Sequence, residues 1–288
     1  MRNRLCRLAV WLAMFSLVLS GAGSIRGAEP PADQTTEDRQ VATDRLVQME
    51  SLAKACQLSR EATSPPYPME AKPILRWSNP VSGVVDGSLW LWTHKGRPVA
   101  TLDVFSVNKG RTWSHQWQSL SEEPFLCQRE GQVRWSPQSP GIVFKVMSDA
   151  PQPAINAAGR LVQMRKLARE FTVEDDFKTK FRGTEFNTHE LRLLSQPLYR
   201  YGKEDQPVTD GALFAYVLGT ACEALLLLEV RDQDGQKEWR YGFTGQTCYA
   251  VRARRNGDVV WSQPCWDDAF DMKNPYFAFS IAGPAELR

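Results

Sequence analysis

A long internal match constrains this chain more than any other feature. The twelve residues DRLVQMESLAKA at 44–55 return as GRLVQMRKLARE at 159–170, identical at seven of twelve positions and offset by 115. Downstream, Ser78-Asn79-Pro80-Val81 matches Ser195-Gln196-Pro197-Leu198, and Asp86-Gly87-Ser88-Leu89-Trp90 matches Asp210-Gly211-Ala212-Leu213-Phe214. Trp113 then matches Trp239, and GQVRWS at 131–136 matches GDVVWS at 257–262, so the offset has drifted to 126. Segments this long are not solenoid repeats; they predict two similar units, 39–150 and 151–288, related by a pseudo-two-fold axis.

The first 28 residues read differently. Arg2, Arg4 and Arg7 precede an unbroken apolar run at 8–19, and Ser20-Gly21-Ala22-Gly23 supplies small residues, the pattern of a Sec signal peptide with cleavage after Ala22 or Ala28. The run is too short to span a bilayer, and the next most apolar stretch, 212–230, contains Gly219 and Glu223, so no membrane span is expected after cleavage. The destination is periplasmic or extracellular. Residues 29–38, rich in Pro, Thr and acid, read as a disordered lead-in. Removing 1–28 takes away four of the 35 basic residues and no acid, which leaves 31 against 33 and a formal charge of −2. A nucleic-acid partner is therefore not expected. Five cysteines remain, Cys56, Cys127, Cys222, Cys248 and Cys265, an odd number for an oxidising compartment. Spacing does not fix their pairing; Cys248 with Cys265 is the preferred pair, because they flank an expected hairpin.

Each unit reads as a helix followed by an antiparallel meander. Ala42, Leu46, Met49, Ala53 and Cys56 share a helical face, and the same offset carries them to Ala157, Leu161, Met164, Ala168 and Phe171. Strands are expected at 74–79, 88–93, 99–107, 112–120, 132–136 and 142–147, and again at 191–195, 212–218, 224–230, 238–243, 249–253, 259–262 and 276–280. The expected class is α+β: two tandem diverged repeats, each an amphipathic helix packed on a curved antiparallel sheet.

The motifs RLVQMRKLA at 160–168, LRLLSQPLYRY at 191–201 and DGALFAY at 210–216 resemble an uncharacterised family of exported bacterial proteins over most of the mature chain. The resemblance implies export and a shared fold, and no catalytic role. Where that family carries Thr-Asp-Pro-Glu, this chain has Thr220-Ala221-Cys222-Glu223.

Chemistry is sparse. Ser51-x-x-Lys54 lacks the companion elements of penicillin-interacting enzymes. His94, His115 and His189 form no metal-binding spacing, and no phosphate-binding loop or nucleophile elbow is present, so no metal or cofactor is expected. Asp103 in Thr-Leu-Asp-Val aligns with Glu229 in Leu-Leu-Glu-Val, and Arg76 aligns with Arg192 across a small gap. Two readings of the acids stand: a general acid and base facing one another across the cleft between units, with His115 nearby, or structural carboxylates held by hydrogen bonds. Trp90 and Trp92 share a strand face on which sugars stack, and Trp117 and Trp266, which have no tryptophan counterpart in the other unit, are candidates for an exposed aromatic platform. The leading expectation is a non-enzymatic binding or envelope-associated module for a glycan, peptide or envelope protein. The alternative is a hydrolase that uses Asp103, Glu229 and His115.

Overall fold

In the computed structural model the described residues are 36–79, 84–107, 111–177, 187–204, 206–233 and 235–283. The expected signal peptide, both expected cleavage points and residues 29–35 of the expected lead-in lie outside them. Helix α1 (Thr36–Lys54) already begins within the stretch read as lead-in. It is followed by β1 (Cys56–Ser59), β2 (Leu75–Asn79), β3 (Val84–His94), β4 (Arg97–Val107), β5 (Thr112–Ser119), β6 (Leu126–Arg129), β7 (Gln132–Trp135) and β8 (Lys145–Val146). Helix α2 (Ala157–Ala168), capped by the Asn156 side chain on the Gly159 N–H at 2.7 Å, opens the second half. Then come β9 (Phe171–Phe177), β10 (Asn187–Leu193), β11 (Tyr199–Tyr201), β12 (Val208–Leu218), β13 (Ala221–Gln233), β14 (Gln236–Gly245), β15 (Val251–Arg255), β16 (Asp258–Gln263) and β17 (Tyr276–Ala282). The apolar stretch at 212–230 is thus a β-hairpin, and no helix among the described residues is long and apolar enough to cross a membrane.

Among the described residues the chain is mostly β, with 52% in strands, 12% helical and two helices, and its antiparallel sheets are large and curled. This overturns the expected helix-on-sheet α+β repeat. The reason lies in the central strands, which are buried on both faces. Along β3, Trp90 and Trp92 pack beneath α1 with Met49, Leu52 and Ala53, while Leu89 and Leu91 point the opposite way and meet Leu213, Ala215, Leu225 and Leu227 of β12 and β13. On the far side of β12 and β13, Phe214, Tyr216, Leu226 and Leu228 pack with Met164, Leu167 and Ala168 of α2. Period-two alternation therefore feeds two cores from each strand, and the helices cover only the outer ones.

Three sheets carry this arrangement. One has the order β17-β5-β4-β3-β2, one the order β1-β6-β7, and the largest runs β16-β15-β9-β10-β12-β13-β14-β8 with β11 also on β12. All pairings are antiparallel. The last strand of each half joins the sheet of the other. Strand β8 pairs with β14 through Val146↔Arg240, and β17 pairs with β5 from Tyr276↔Gln118 to Ala282↔Thr112.

Several local arrangements occur twice. Arg76 chelates Asp86 at 3.0 and 2.7 Å and donates to the Ala42 carbonyl of α1 at 2.6 Å. Arg200 chelates Asp210 at 2.9 and 2.7 Å and donates to the Ala157 carbonyl at the start of α2. Arg200, and not Arg192, therefore stands where Arg76 stands; Arg192 donates to the Gly219 carbonyl instead. The hairpins β6–β7 and β15–β16 both turn on a left-handed pair, Glu130-Gly131 and Asn256-Gly257. Their neighbouring strands keep one register, Cys56↔Arg129 and Leu58↔Cys127 in the first, Phe171↔Arg255 and Val173↔Ala253 in the second.

Candidate functional site

Most residues singled out in the sequence are core residues. Trp90, Trp92 and Trp117 are each 1% exposed, so they present no surface for sugar stacking. Trp117 instead lies against Trp92 at 5.0 Å and Trp135 at 5.2 Å between ring centroids. Trp266 is half-buried and stacks on Tyr276 at 6.4 Å. The expected aromatic platform is therefore reduced to Trp266.

The two acids are equally buried and have separate partners. The Trp77 indole donates to Asp103 Oδ1 at 2.9 Å, and burial pushes the Asp103 carboxyl up to about 8. The Tyr201 hydroxyl donates to Glu229 Oε1 at 2.9 Å, and the guanidiniums of Arg97 and Arg231 donate to Glu229 at 2.8 and 2.6 Å. No contact joins Asp103 to Glu229 among the described residues, so they do not form a facing acid and base. Glu223, missed in the sequence reading as a titrating group, is 8% exposed, and its carboxyl is raised well above the usual range by burial, with Asp175 and Asp103 adding to the effect. Its apolar strand context and the buried hydrogen bonding of Gln246 around it, to Thr101 at 2.6 Å, describe a polar seam inside the protein and not an open cleft. Among the described residues no group of three or more His, Cys, Asp or Glu is placed to hold a metal ion.

His115 is fully buried and stacks flat on Phe279 with ring centroids 4.4 Å apart. Burial, and after it the charge of Arg129, push its pKa down to about 4, which leaves the ring neutral at physiological pH. It is a floor residue, and the other side of Phe279 faces a groove.

That groove has a volume of about 500 Å³. Alternation along β17 places Phe277, Phe279 and Ile281 on one wall, and the β6–β7 hairpin supplies Val133 with Arg129, Glu130 and Arg134. Phe270 and Met272, from the segment before β17, complete it. This last wall is fixed: Ser136 N–H donates to the Met272 carbonyl at 2.8 Å, and the Trp135 indole donates to the Asn274 carbonyl at 2.8 Å. Phe270 and Val133 remain 49% and 41% exposed, unusual for large apolar side chains beside one another. Strand β17 is also the end of its sheet. The Ala278 N–H points away from β5 to the Ala269 carbonyl at 2.7 Å, so the outward backbone positions of β17 are 278, 280 and 282. The sequence signal was present in the uncharged run Tyr276–Ala282, but it had no meaning until β17 was seen to be an edge.

Comparison of the chain with protein-family models, with curated proteins and with solved structures gave no match to any of them.

Proposed function

We propose that this is an exported, non-enzymatic binding protein, built from two diverged β units, whose groove takes an extended polypeptide segment that adds to β17. The observation that carries the reading is an uncharged apolar edge strand whose alternate side chains line a groove. Exposed edges are normally blunted by charge, proline or cover; β17 has neither charge nor proline, and the Ala269 carbonyl covers its Ala278 N–H, which leaves positions 280 and 282 for an incoming strand. Strand addition satisfies the edge with backbone hydrogen bonds, and the period of two drops every second side chain of the incoming segment onto Phe277, Phe279 and Ile281. Arg129 and Arg134 against the single Glu130 favour a segment carrying an acidic residue. Such a partner belongs to the envelope. The matched registers and the paired Arg–Asp arrangements support the two-unit origin. The hydrolase alternative has no comparable support, because Asp103, Glu229 and His115 are each buried among different neighbours.

Calorimetry with a synthetic heptapeptide that alternates Val with Thr and ends in Asp tests the proposal. Binding is expected, and Phe279→Asp should abolish it. Ser280→Pro removes an outward N–H and the hydroxyl contact with Ser114 at 3.1 Å, so it should lower the melting temperature only slightly while abolishing binding. Unaltered binding in the folded Ser280→Pro variant would sink strand addition.

A further inference from the structure

Cys56 opens β1 directly after α1, and Cys127 lies on the neighbouring strand β6. The register Cys56↔Arg129 and Leu58↔Cys127 puts the two on one face at a diagonal, and the Cys56 thiol also donates to the Leu52 carbonyl of α1 at 3.8 Å. Both are buried, 5% and 1% exposed, in the core that holds Met49, Ala53 and Trp135. Packing alone does not ask for sulfur here. At the same register positions of β9 and β15 stand Phe171 and Ala253, an apolar large–small pair in an equivalent core.

We propose that Cys56 and Cys127 are joined by a disulfide in the mature protein. The oxidant is a disulfide donor, either small-molecule or protein. The Cys56 thiolate attacks one donor sulfur and the other leaves as thiolate; the Cys127 thiolate then attacks Cys56 Sγ and expels the second donor sulfur. Two protein thiols thereby lose two protons and two electrons, and the donor disulfide is reduced to two thiols. The order of attack follows from the surroundings: hydrogen bonding by Cys127, and after it the charge of Arg129, lower the Cys56 thiol, while the same pairing and burial raise Cys127. Both sulfurs are buried in the folded chain, so the bond forms as α1 docks and the β1–β6 pair closes. It ties the helix and the three-stranded sheet together across about 70 residues of chain, a span at which cross-links constrain the unfolded chain strongly.

The oxidising compartment rests on the export reading, so the test supplies its own oxidant and is independent of the groove. The full chain is refolded in a mixture of oxidised and reduced glutathione, alkylated, digested without reduction and mapped by mass. The expected product is a linked pair of peptides containing Cys56 and Cys127, 2 Da lighter than their sum because two hydrogens are lost. The oxidised protein should melt roughly 10 °C above the reduced one, a comparison that needs no variant. The double variant Cys56→Phe, Cys127→Ala, which copies the Phe171 and Ala253 pair, should melt like the reduced protein in both redox states. Full alkylation of both thiols in the folded oxidised protein, another partner for Cys127, or equal melting of the oxidised and reduced protein would overturn the proposal.

Discussion

Asp103 and Glu229 sit at matching places in β4 and β13, each touched by an aromatic donor that reaches across one intervening strand, Trp77 of β2 over β3 and Tyr201 of β11 over β12. Their charge environments diverge at a single step. Arg97 reaches Glu229, whereas the position that matches Arg97 near Asp103 is Glu223, itself a carboxyl raised by burial, so buried Asp103 gains no guanidinium there. Asp103 therefore holds its proton in the folded state, with a pKa raised from 3.8 to about 8. A raised acid pKa stabilises the fold fully below the unfolded value, and that contribution is lost as pH rises through the folded one. Asp103 should cost stability at about 1.4 kcal/mol per pH unit between about pH 4 and pH 8, and nothing further above that. Asp103→Asn keeps an acceptor for Trp77 and cannot ionise. Its urea midpoint relative to the parent should rise steadily across that window, and a constant difference would show that Asp103 ionises normally. At the other acid, Arg97→Ala removes one of two guanidiniums from a carboxylate with no exposed surface, and a loss of about 3 kcal/mol is expected in denaturant unfolding. The residues themselves were legible as a matched pair of carboxylates in apolar strands. Their partners were not, because Arg97 is 132 positions from Glu229 and Arg76 was aligned with the wrong arginine.

Elements made of long runs rich in apolar, β-branched and aromatic residues were placed well: the expected runs at 88–93, 99–107, 212–218 and 224–230 fall inside β3, β4, β12 and β13. The buried helical stripe, Met49 and Ala53 in α1 and Met164 and Ala168 in α2, was legible too. The short strands β1, β6 and β11 were missed, since three or four residues carry too little pattern to stand out, and β9 was missed because Glu174, Asp175 and Asp176 interrupt it. The arginines 252, 254 and 255 lie on β15, which is interior, and pair with acids of β9 and its approach: Arg252 holds Glu174 at 2.9 Å and Arg255 holds Glu170 at 2.7 Å. The groove was invisible because its walls come from segments more than 130 residues apart. One close approach is testable at this scale. A Cβ on Gly87 of β3 would lie 2.4 Å from the Trp77 ring, and one on Gly211 of β12 would lie 2.5 Å from the Tyr201 ring. Gly87→Ala must push Trp77 from its place and from Asp103, so a loss of about 2 kcal/mol is expected in urea titration; wild-type stability would mean that the indole does not lie over the glycine.

At the scale of the molecule, the reciprocal placement of β8 and β17 decides how the halves depend on each other. Neither half owns all the strands of its own sheet. Residues 29–150 expressed alone should lack the strand that covers β5, and should give no cooperative thermal transition. Mixed with residues 151–288, they should recover one transition and co-elute; independent folding of either fragment would refute the dependence. The inter-sheet core of Leu89, Leu91, Leu213 and Leu225 points the same way, because it has no covering in a lone half.

The position of β17 also sets an order of events in time. Synthesis proceeds from the N-terminus, yet the sheet that contains β3, β4 and β5 is completed by residues 276–282, more than 150 positions after β5. The half made first must wait for a strand made long after it. Its folding during synthesis is thereby held back until β17 has emerged, and until then the edge of β5 stands unpaired.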